Sequence, residues 1–404
     1  MIRVAFTLIG GPEWTGGRNY LANLLRVLAT HQAGVITPVL FVDRTLKPDE
    51  VSSFAAIPGL ELVQSQALAA SRGRRALLAA LMFGRDSMLR REFAAQRVDV
   101  VFEAARYFGW RLGIPAIAWM PDFQHRAMPG MFTRVSWLKR ELGFRAQILS
   151  GRFIMVSSAD ARAACERYYA GIADRIFTVR FAVAPATGLD ARTARAVADQ
   201  YGLPEQFFFM PNQFWRHKNH LLVLEALAFL KDRATPVTVV ATGGQVDPRN
   251  PDHLRVIQRM VQDRALSDQF RNLGLVPQPH VAALMACCGA LLNPSRYEGW
   301  STTVEEARSL GTALLLSDIA VHREQAGANA IYFDPADPAA LATVLMDFVP
   351  PAAEARNAAR VAARAVAEQR MHTFAEEFAE VVRAAWRRQR TFIDPNTQDL
   401  TRHV

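Results

Sequence analysis

The sequence predicts an α/β protein of two doubly wound parallel-sheet domains in series, and three observations carry that reading. Short apolar runs of strand type alternate with longer helical stretches along the whole chain. The alternation halts around Pro185, Gly188 and Pro204 and then starts again. With 404 residues, half of them hydrophobic, the chain can fill more than one core, and 21% charged residues exclude a disordered or fibrous polypeptide.

In the first half, strands are expected at Val4–Ile9, Thr37–Val42, Val98–Phe102, Ala116–Met120 and Phe153–Ser157. Each is short and almost wholly apolar, as a strand covered on both faces must be. Helices are expected at Asn19–His31, Leu77–Gln96 and Ala159–Tyr169. The second half repeats the pattern with strands at Phe207–Met210, Val237–Thr242, Ala290–Asn293, Ala313–Ser317 and Ala330–Phe333. Its helices are expected at His220–Lys231, Asn250–Leu266, Pro279–Cys287, Val304–Leu310 and Pro338–Phe348. An Ala/Arg/Glu-rich stretch over 351–391 reads as helix, and Asp394-Pro395-Asn396 as loop. The expected domains are 1–185, 186–375 and a helical tail, 376–404, that packs back on the first. Two such domains imply a cleft, with ligands at the carboxyl ends of the strands.

Composition narrows the chemistry. The three cysteines, Cys165, Cys287 and Cys288, form no C-x-x-C pair, so a disulfide framework or zinc knuckle is excluded and a reducing cytoplasm fits best. The longest apolar run, Val281 to Leu292, is about a dozen residues, short of the roughly 20 that span a bilayer. The N-terminal stretch reaches Gly10-Gly11-Pro12-Glu13 without a small-residue cleavage site, so it reads as a first strand and not as a signal peptide. Net charge is +9, and residues 1–150 hold 19 Lys/Arg against 11 Asp/Glu. That imbalance points to an acidic partner for the first half: a lipid surface, a phosphorylated acceptor or nucleic acid.

The segment from Asn293 to Ala307 carries most of the functional signal. A strand ends at Pro294, a loop follows, and a helix begins near Thr303. Its frame, Pro-Ser-x-x-Glu298-Gly299-x6-Glu306-Ala, resembles the E-x7-E signature of the retaining nucleotide-sugar glycosyltransferases of family four (glycosyl transferases group 1). The resemblance implies the GT-B architecture, two Rossmann-like domains facing across a cleft. It also implies that Glu306 clamps the ribose hydroxyls of the donor nucleotide and that Glu298 faces the donor sugar. Gly299, Trp300, Ser301, Thr302 and Thr303 would bring free helix amides to the diphosphate. A capping box, Thr302 with Glu305 or Thr303 with Glu306, fits the same residues without function, and Glu305 is assigned that role.

Met210 to His220 is again strand, loop and helix, and Lys218-Asn219-His220 resembles the family's K-x-H ending. The resemblance makes Lys218 a counter-charge for the leaving diphosphate. The family arginine five residues earlier is replaced by Gln213, which leaves two alternatives: Arg216 supplies the charge, or Gln213 contributes a hydrogen bond only. Gly16-Gly17, followed by Asn23-Leu24, resembles the family's first glycine pair, where a bare backbone can approach a phosphate. It is neither a Walker A loop nor G-x-G-x-x-G. His125, with Asp122 to orient it, stands where relatives carry a His-Asp pair and is an acceptor-side and proton-handling candidate. Ser317-Asp318 and His322-Arg323-Glu324 also match family segments that serve structure or function.

No Asp-x-Asp pair occurs, so no metal and no other cofactor is expected, and cationic side chains with helix amides do the neutralising. The resemblance implies transfer of a sugar, with a lean to mannose from a GDP donor, onto a glycan or lipid-linked acceptor in cell-envelope polysaccharide synthesis. Retention is expected through same-face attack, the leaving phosphate oxygen taking the acceptor's proton. Two rivals stand beside it, a nucleotide-sugar epimerase of the same fold and a non-catalytic nucleotide- or nucleic-acid-binding protein. Against the latter, the basic residues are not interleaved with aromatics on a nucleic-acid module. Between Leu68 and Gln96, arginines alternate with large apolar residues, which suggests a cytoplasmic protein held peripherally on an anionic membrane surface.

Overall fold

The computed structural model describes residues 1–9, 15–104, 106–186, 188–235 and 237–393. The Gly10-Gly11-Pro12-Glu13 turn and the Asp394-Pro395-Asn396 loop lie outside these residues. The chain divides into two compact units. Met1–His125, Arg134–Phe181 and the segment from Met371 form the first, and Arg126–Thr133 with Ala182–Arg370 form the second.

The first unit runs β1 (Ile2–Thr7), α1 (Thr15–His31), β2 (Ile36–Asp43), α2 (Pro48–Ala55), β3 (Glu61–Ser65), α3 (Gly73–Met82), α4 (Ser87–Ala95), β4 (Val100–Ala104) and β5 (Ala116–Trp119). It continues with α5 (Gln124–Ala127), whose second half belongs to the other unit, then α6 (Arg134–Leu149), β6 (Phe153–Val156), α7 (Ala159–Tyr168) and β7 (Ile176–Thr178). The seven strands are parallel throughout, in the order β3-β2-β1-β4-β5-β6-β7, so the direction of winding reverses between β1 and β4. One face of the sheet packs Ala5, Phe41 and Val101 on Leu89 and Phe93 of α4, and Ala118, Ile154 and Val156 on Ile148 of α6 and Ala161 of α7. On the other face Tyr20 of α1 stacks on Trp119 at 4.0 Å. Phe6 and Phe102 there meet Phe378 with ring centroids 6.0 and 5.6 Å away. Burial on both faces explains why these strands read as unbroken apolar runs.

The second unit runs α8 (Ala191–Gln200), β8 (Phe208–Met210), α9 (His220–Asp232), β9 (Val239–Ala241), α10 (His253–Asp263), β10 (Phe270–Asn272) and α11 (Gln278–Cys287). Then follow β11 (Ala290–Asn293), α12 (Thr302–Leu310), β12 (Leu314–Ser317), α13 (Ala320–Ala326), β13 (Ile331–Phe333), α14 (Pro338–Asp347) and the long α15 (Ala353–Ile393). Its six strands are again all parallel, ordered β10-β9-β8-β11-β12-β13, with the reversal between β8 and β11. Strand alternation is clear in β8. Phe208 and Met210 pack on Leu227 and Leu341, whereas Phe209 packs on Leu284 and Val304 from the opposite face. The first turns of α15 belong to this unit and the stretch from Met371 to the first.

The α/β class and the doubly wound order agree with the sequence reading. The single helix expected over Leu77–Gln96 is two helices. Gly84 breaks it with φ +75°, and Asp86 caps α4 by accepting from the amides of Met88 and Leu89 at 2.9 and 3.4 Å. Among the described residues no helix is long and apolar enough to cross a membrane.

Candidate active site

The polar residues of the second unit gather at the carboxyl ends of β8 and β11, where the winding reverses and a doubly wound sheet opens a crevice. Asn212, just after β8, donates from Nδ2 to Oδ1 of Asn293, the last residue of β11, at 3.3 Å. Asn293 spends its remaining groups on the neighbouring loop. Its Nδ2 reaches the Ser301 hydroxyl at 2.9 Å, and its Oδ1 accepts from the Ser295 amide and hydroxyl at 3.2 and 2.7 Å. Two buried amides therefore fix the β8 and β11 loops to one another. The Arg296 amide adds a bond to the His217 carbonyl at 2.8 Å.

Lys218 and Glu298 meet across this junction. Lys218 Nζ lies 2.6 Å from Glu298 Oε1, with side chains only 14% and 8% exposed. Such a charge-assisted bond shielded from water is stronger than a surface pair. The backbone that aims Lys218 is set by Asn219, which adopts a left-handed φ of +63°. Its side-chain amide donates to the carbonyls of Pro294 and Pro335 at 3.1 and 2.9 Å, so a strained residue is held from outside the loop. His220 lies buried, stacked on Phe214 at 4.3 Å, and burial pushes its imidazole down to about 3. It is a packing residue in this structure.

The Arg216 side chain is exposed, while its amide donates to Asp247 Oδ2 at 3.2 Å. Asp247 also accepts from the Arg249 amide and Asn250 Nδ2, and these bonds hold its carboxyl below the usual range despite burial. Gln213 fits over Gly244, where a Cβ would stand 2.3 Å from Gln213 Oε1. Gly243 is tighter still. At φ +149° its missing Cβ would be 2.5 Å from the Asn212 carbonyl oxygen.

Helix α12 begins at Thr302, so the amides of Thr302, Thr303 and Val304 form the first turn, which has no intrahelical acceptors. The entry is clamped by Gln325, which accepts from the Ser301 amide and donates to the Ser301 carbonyl, both at 3.0 Å. Neither expected capping box forms. The N-cap is Ser301, whose hydroxyl goes to Asn293, and Glu305 turns inward to Arg308 and to Gln325 at 3.2 Å, with Arg370 at 3.8 Å. Glu306 has a different setting. It is half-buried, accepts from Gln278 Nε2 at 3.3 Å, and burial pushes its carboxyl up to about 7. Gly299 and Trp300 are half-buried in the loop before Ser301. Asp318 pairs with Arg323 through two 2.7 Å bonds, and buried His322 contacts the Ser317 hydroxyl and carbonyl at 3.1 and 3.0 Å.

The first unit holds the other candidates. Gly16 and Gly17 lie in the opening turn of α1, the former exposed and the latter buried. Asp122 binds Arg140 at 2.8 Å and the Gln124 amide at 2.8 Å. His125 is fully buried with Nε2 3.1 Å from Glu141, which also accepts from Tyr169 at 2.9 Å and Arg145 at 2.6 Å. Glu141 is thus a bonded partner of His125, and Asp122, the orienting residue the sequence suggested, acts on it electrostatically. Burial is the main reason that its pKa falls.

Sequence reasoning passed over Asn212, Asn293, Gly243, Gly244, Gln278 and Gln325. The Gly243-Gly244 pair directly after a strand was a readable signal. The two asparagines bond each other across 81 residues of sequence, which no local pattern announces.

Residues 197–366 match the family model of glycosyl transferases group 1. No curated protein matches the chain by sequence. Among solved structures, HepE of Anabaena in complex with UDP and glucose is similar at TM-score 0.68 and 16% identity, over 95% of this chain and 100% of that one. WaaG, a glycosyltransferase involved in lipopolysaccharide biosynthesis, is similar at TM-score 0.61 and 15% identity over 95% and 99% of the two chains. The sucrose-phosphate synthase of Thermosynechococcus elongatus is similar at TM-score 0.59 and 15% identity, covering 99% of each. The match to glycosyl transferases group 1 thus falls within the second unit, in a chain whose two parallel sheets have the GT-B architecture.

Proposed function

We propose that this protein is a retaining glycosyltransferase that takes a nucleoside-diphosphate sugar as donor and a glycan or lipid-linked hydroxyl as acceptor, in cell-envelope polysaccharide synthesis. The observation that carries the proposal is the shielded Lys218–Glu298 pair, placed between the β8 and β11 loops on the same segment that leads into α12 and Glu306. In this reading Lys218, Arg216 and the first amides of α12 neutralise the diphosphate, with Gln213 as a neutral donor beside them. Glu306 accepts the ribose hydroxyls, and Glu298 orients the sugar while holding Lys218. Glycines 16 and 17 bring bare backbone to the donor phosphates. Asp122 and His125 serve the acceptor side, with buried His125 acting as a positioning residue through Glu141.

Chemically, the bond between the anomeric carbon and the phosphate oxygen breaks as the acceptor oxygen bonds to the same face of that carbon. The acceptor's proton passes to the departing phosphate oxygen, so no protein base is required. Positive charge grows on the sugar and negative charge on the diphosphate, and a preformed ammonium is most useful against the latter. HepE, which has been solved with UDP-glucose, supports a nucleotide-sugar donor, and WaaG supports an envelope acceptor. The reading requires no metal.

A thermal-shift screen of UDP-, GDP- and ADP-sugars tests the donor. A ligand at a hundred times its Kd stabilises by about 2.7 kcal/mol, which is several degrees. No stabilisation by any of them overturns the proposal. Labelled donor incubated without acceptor separates transfer from epimerisation, since only an epimerase converts it.

A further inference from the structure

A groove of about 480 Å³ opens in the first unit, and none of the residues assigned above to donor or acceptor lines it. Its walls are Met82 and Phe83 at the end of α3, Arg85 in the turn that follows, and Trp110 and Arg111 in the β4–β5 loop. Two glycines build it. Gly84 and Gly109 both have positive φ, and a Cβ on Gly109 would stand 2.2 Å from the Gly84 carbonyl oxygen. That carbonyl accepts from the Arg111 amide at 2.7 Å, and Trp110 Nε1 donates to the Leu81 carbonyl at 3.4 Å. The loop is anchored from beneath by Arg152, buried on Glu103 at 2.9 Å, which also holds the Gly109 carbonyl at 2.6 Å. Phe83 and Trp110 are thus presented from a braced turn.

They are also left in water. Met82 is 70% exposed, Phe83 68%, Leu78 56% and Trp110 54%. Such an apolar group, with Trp110 brought to the end of α3 by its bond to the Leu81 carbonyl, is unusual on a soluble surface and marks a binding face. Its charge has one sign. Helix α3 contains no acidic residue, Arg85 and Arg111 are exposed, and neither has an ion pair among the described residues. The nearest carboxylate in sequence, Asp86, is buried and committed to Arg72 and the α4 cap. A tryptophan at the rim, apolar side chains beyond it and unpaired arginines at headgroup depth are the features of a surface that lies in a bilayer interface.

We propose that the Phe83–Trp110 ridge docks on an anionic phospholipid bilayer, with Met82, Phe83 and Trp110 entering the acyl boundary and Arg85 and Arg111 binding lipid phosphates. Charge complementarity selects this occupant: the arginines need an anion, and the exposed rings need an adjoining apolar phase. The docking gives the proposed lipid-linked acceptor a route to the enzyme, yet it is read without any donor, so its failure and that of the transferase reading are distinguishable.

The test uses the full chain and vesicles of phosphatidylcholine alone or with an equal part of phosphatidylglycerol, at low and high salt. The wild type is expected to float with the anionic vesicles at low salt and to be released by high salt. R85Q/R111Q should bind them roughly 30-fold more weakly, in line with the usual worth of two basic residues at a membrane surface. F83S/W110S should lose binding and the quenching of tryptophan emission by brominated lipid. All of these positions are exposed, and unchanged melting temperatures check that the variants fold. Equal binding to neutral vesicles, no flotation at all, or a double arginine variant that binds like the wild type overturns the proposal. So does a change from dimer to monomer in F83S/W110S without lipid binding, which would make the ridge a self-association face.

Discussion

If Glu306 holds the nucleotide as proposed, it should link nucleotide binding to pH. Its carboxyl ordinarily titrates near 4.5, and burial raises it to about 7 against the lowering effect of the bond from Gln278. Ribose hydroxyls donate, so they bind the carboxylate and not the acid. Occupancy must therefore expel a proton below neutrality, and affinity should rise about tenfold per pH unit between 5 and 7 and level off above. If hydroxyl bonds return the carboxyl to its ordinary range, the change from pH 8 to pH 5 is roughly a hundredfold weakening of Kd. The sign of the stability effect is opposite. The folded protein binds more protons than the unfolded chain between about 4.5 and 7, so without added nucleotide it should lose stability as pH rises through that window. Titration calorimetry with a nucleotide sugar is the assay, because its phosphodiester groups do not titrate in this range. E306Q should bind more weakly at pH 8 and show no slope. A pH-independent wild type, or a slope retained in E306Q, refutes the reasoning and moves the linkage elsewhere.

Four further outcomes follow from the same geometry. K218A should lower turnover about 10²–10³-fold with a smaller effect on nucleoside affinity, because in the proposed reaction its charge serves the leaving group; steady-state kinetics beside calorimetry reads the split. R216A should reduce kcat if this exposed arginine meets the diphosphate, and wild-type kinetics would hand that task to Gln213. E305A should leave nucleotide affinity unchanged but lower the melting temperature by several degrees, since it strands Arg308 and Arg370. G243A should cost both stability and nucleotide binding, because the new Cβ meets the Asn212 backbone at a φ that side chains avoid; thermal melting with and without nucleotide checks it.

What was legible in the sequence was the material with strong local patterning. Strands such as Val39–Val42 and Leu314–Leu316 are apolar because helices cover both faces, and their type follows from composition alone. Strand β3, by contrast, has the mixed sequence Glu-Leu-Val-Gln-Ser at the sheet edge and is largely exposed, so nothing marks it locally. Strands β7 and β10 are three residues long and owe their existence to neighbours. The same division holds in the site. The Lys218 and Glu298 motifs could be read as motifs, but their 2.6 Å pairing depends on the β8–β11 reversal. The α6 helix went unread because its apolar residues Val135, Leu138 and Leu142 face water while Glu141 and Gln147 are buried, which inverts the usual pattern.

Helix α15 has a bearing on how this polypeptide is made. Phe374 and Phe378 are wholly buried among Tyr20, Phe6 and Phe102, yet they are encoded about 190 residues downstream of Phe181, where the rest of that unit ends. On the ribosome, at roughly 5–20 residues per second, the seven-stranded sheet waits on the order of 10–40 s with one aromatic face uncovered. During that interval the second unit emerges and can complete itself, because its separate Arg126–Thr133 segment has already been made. The gene order thus makes the later-synthesised unit the first able to finish folding, and a fragment ending at Phe181 would expose rings that the full chain keeps dry.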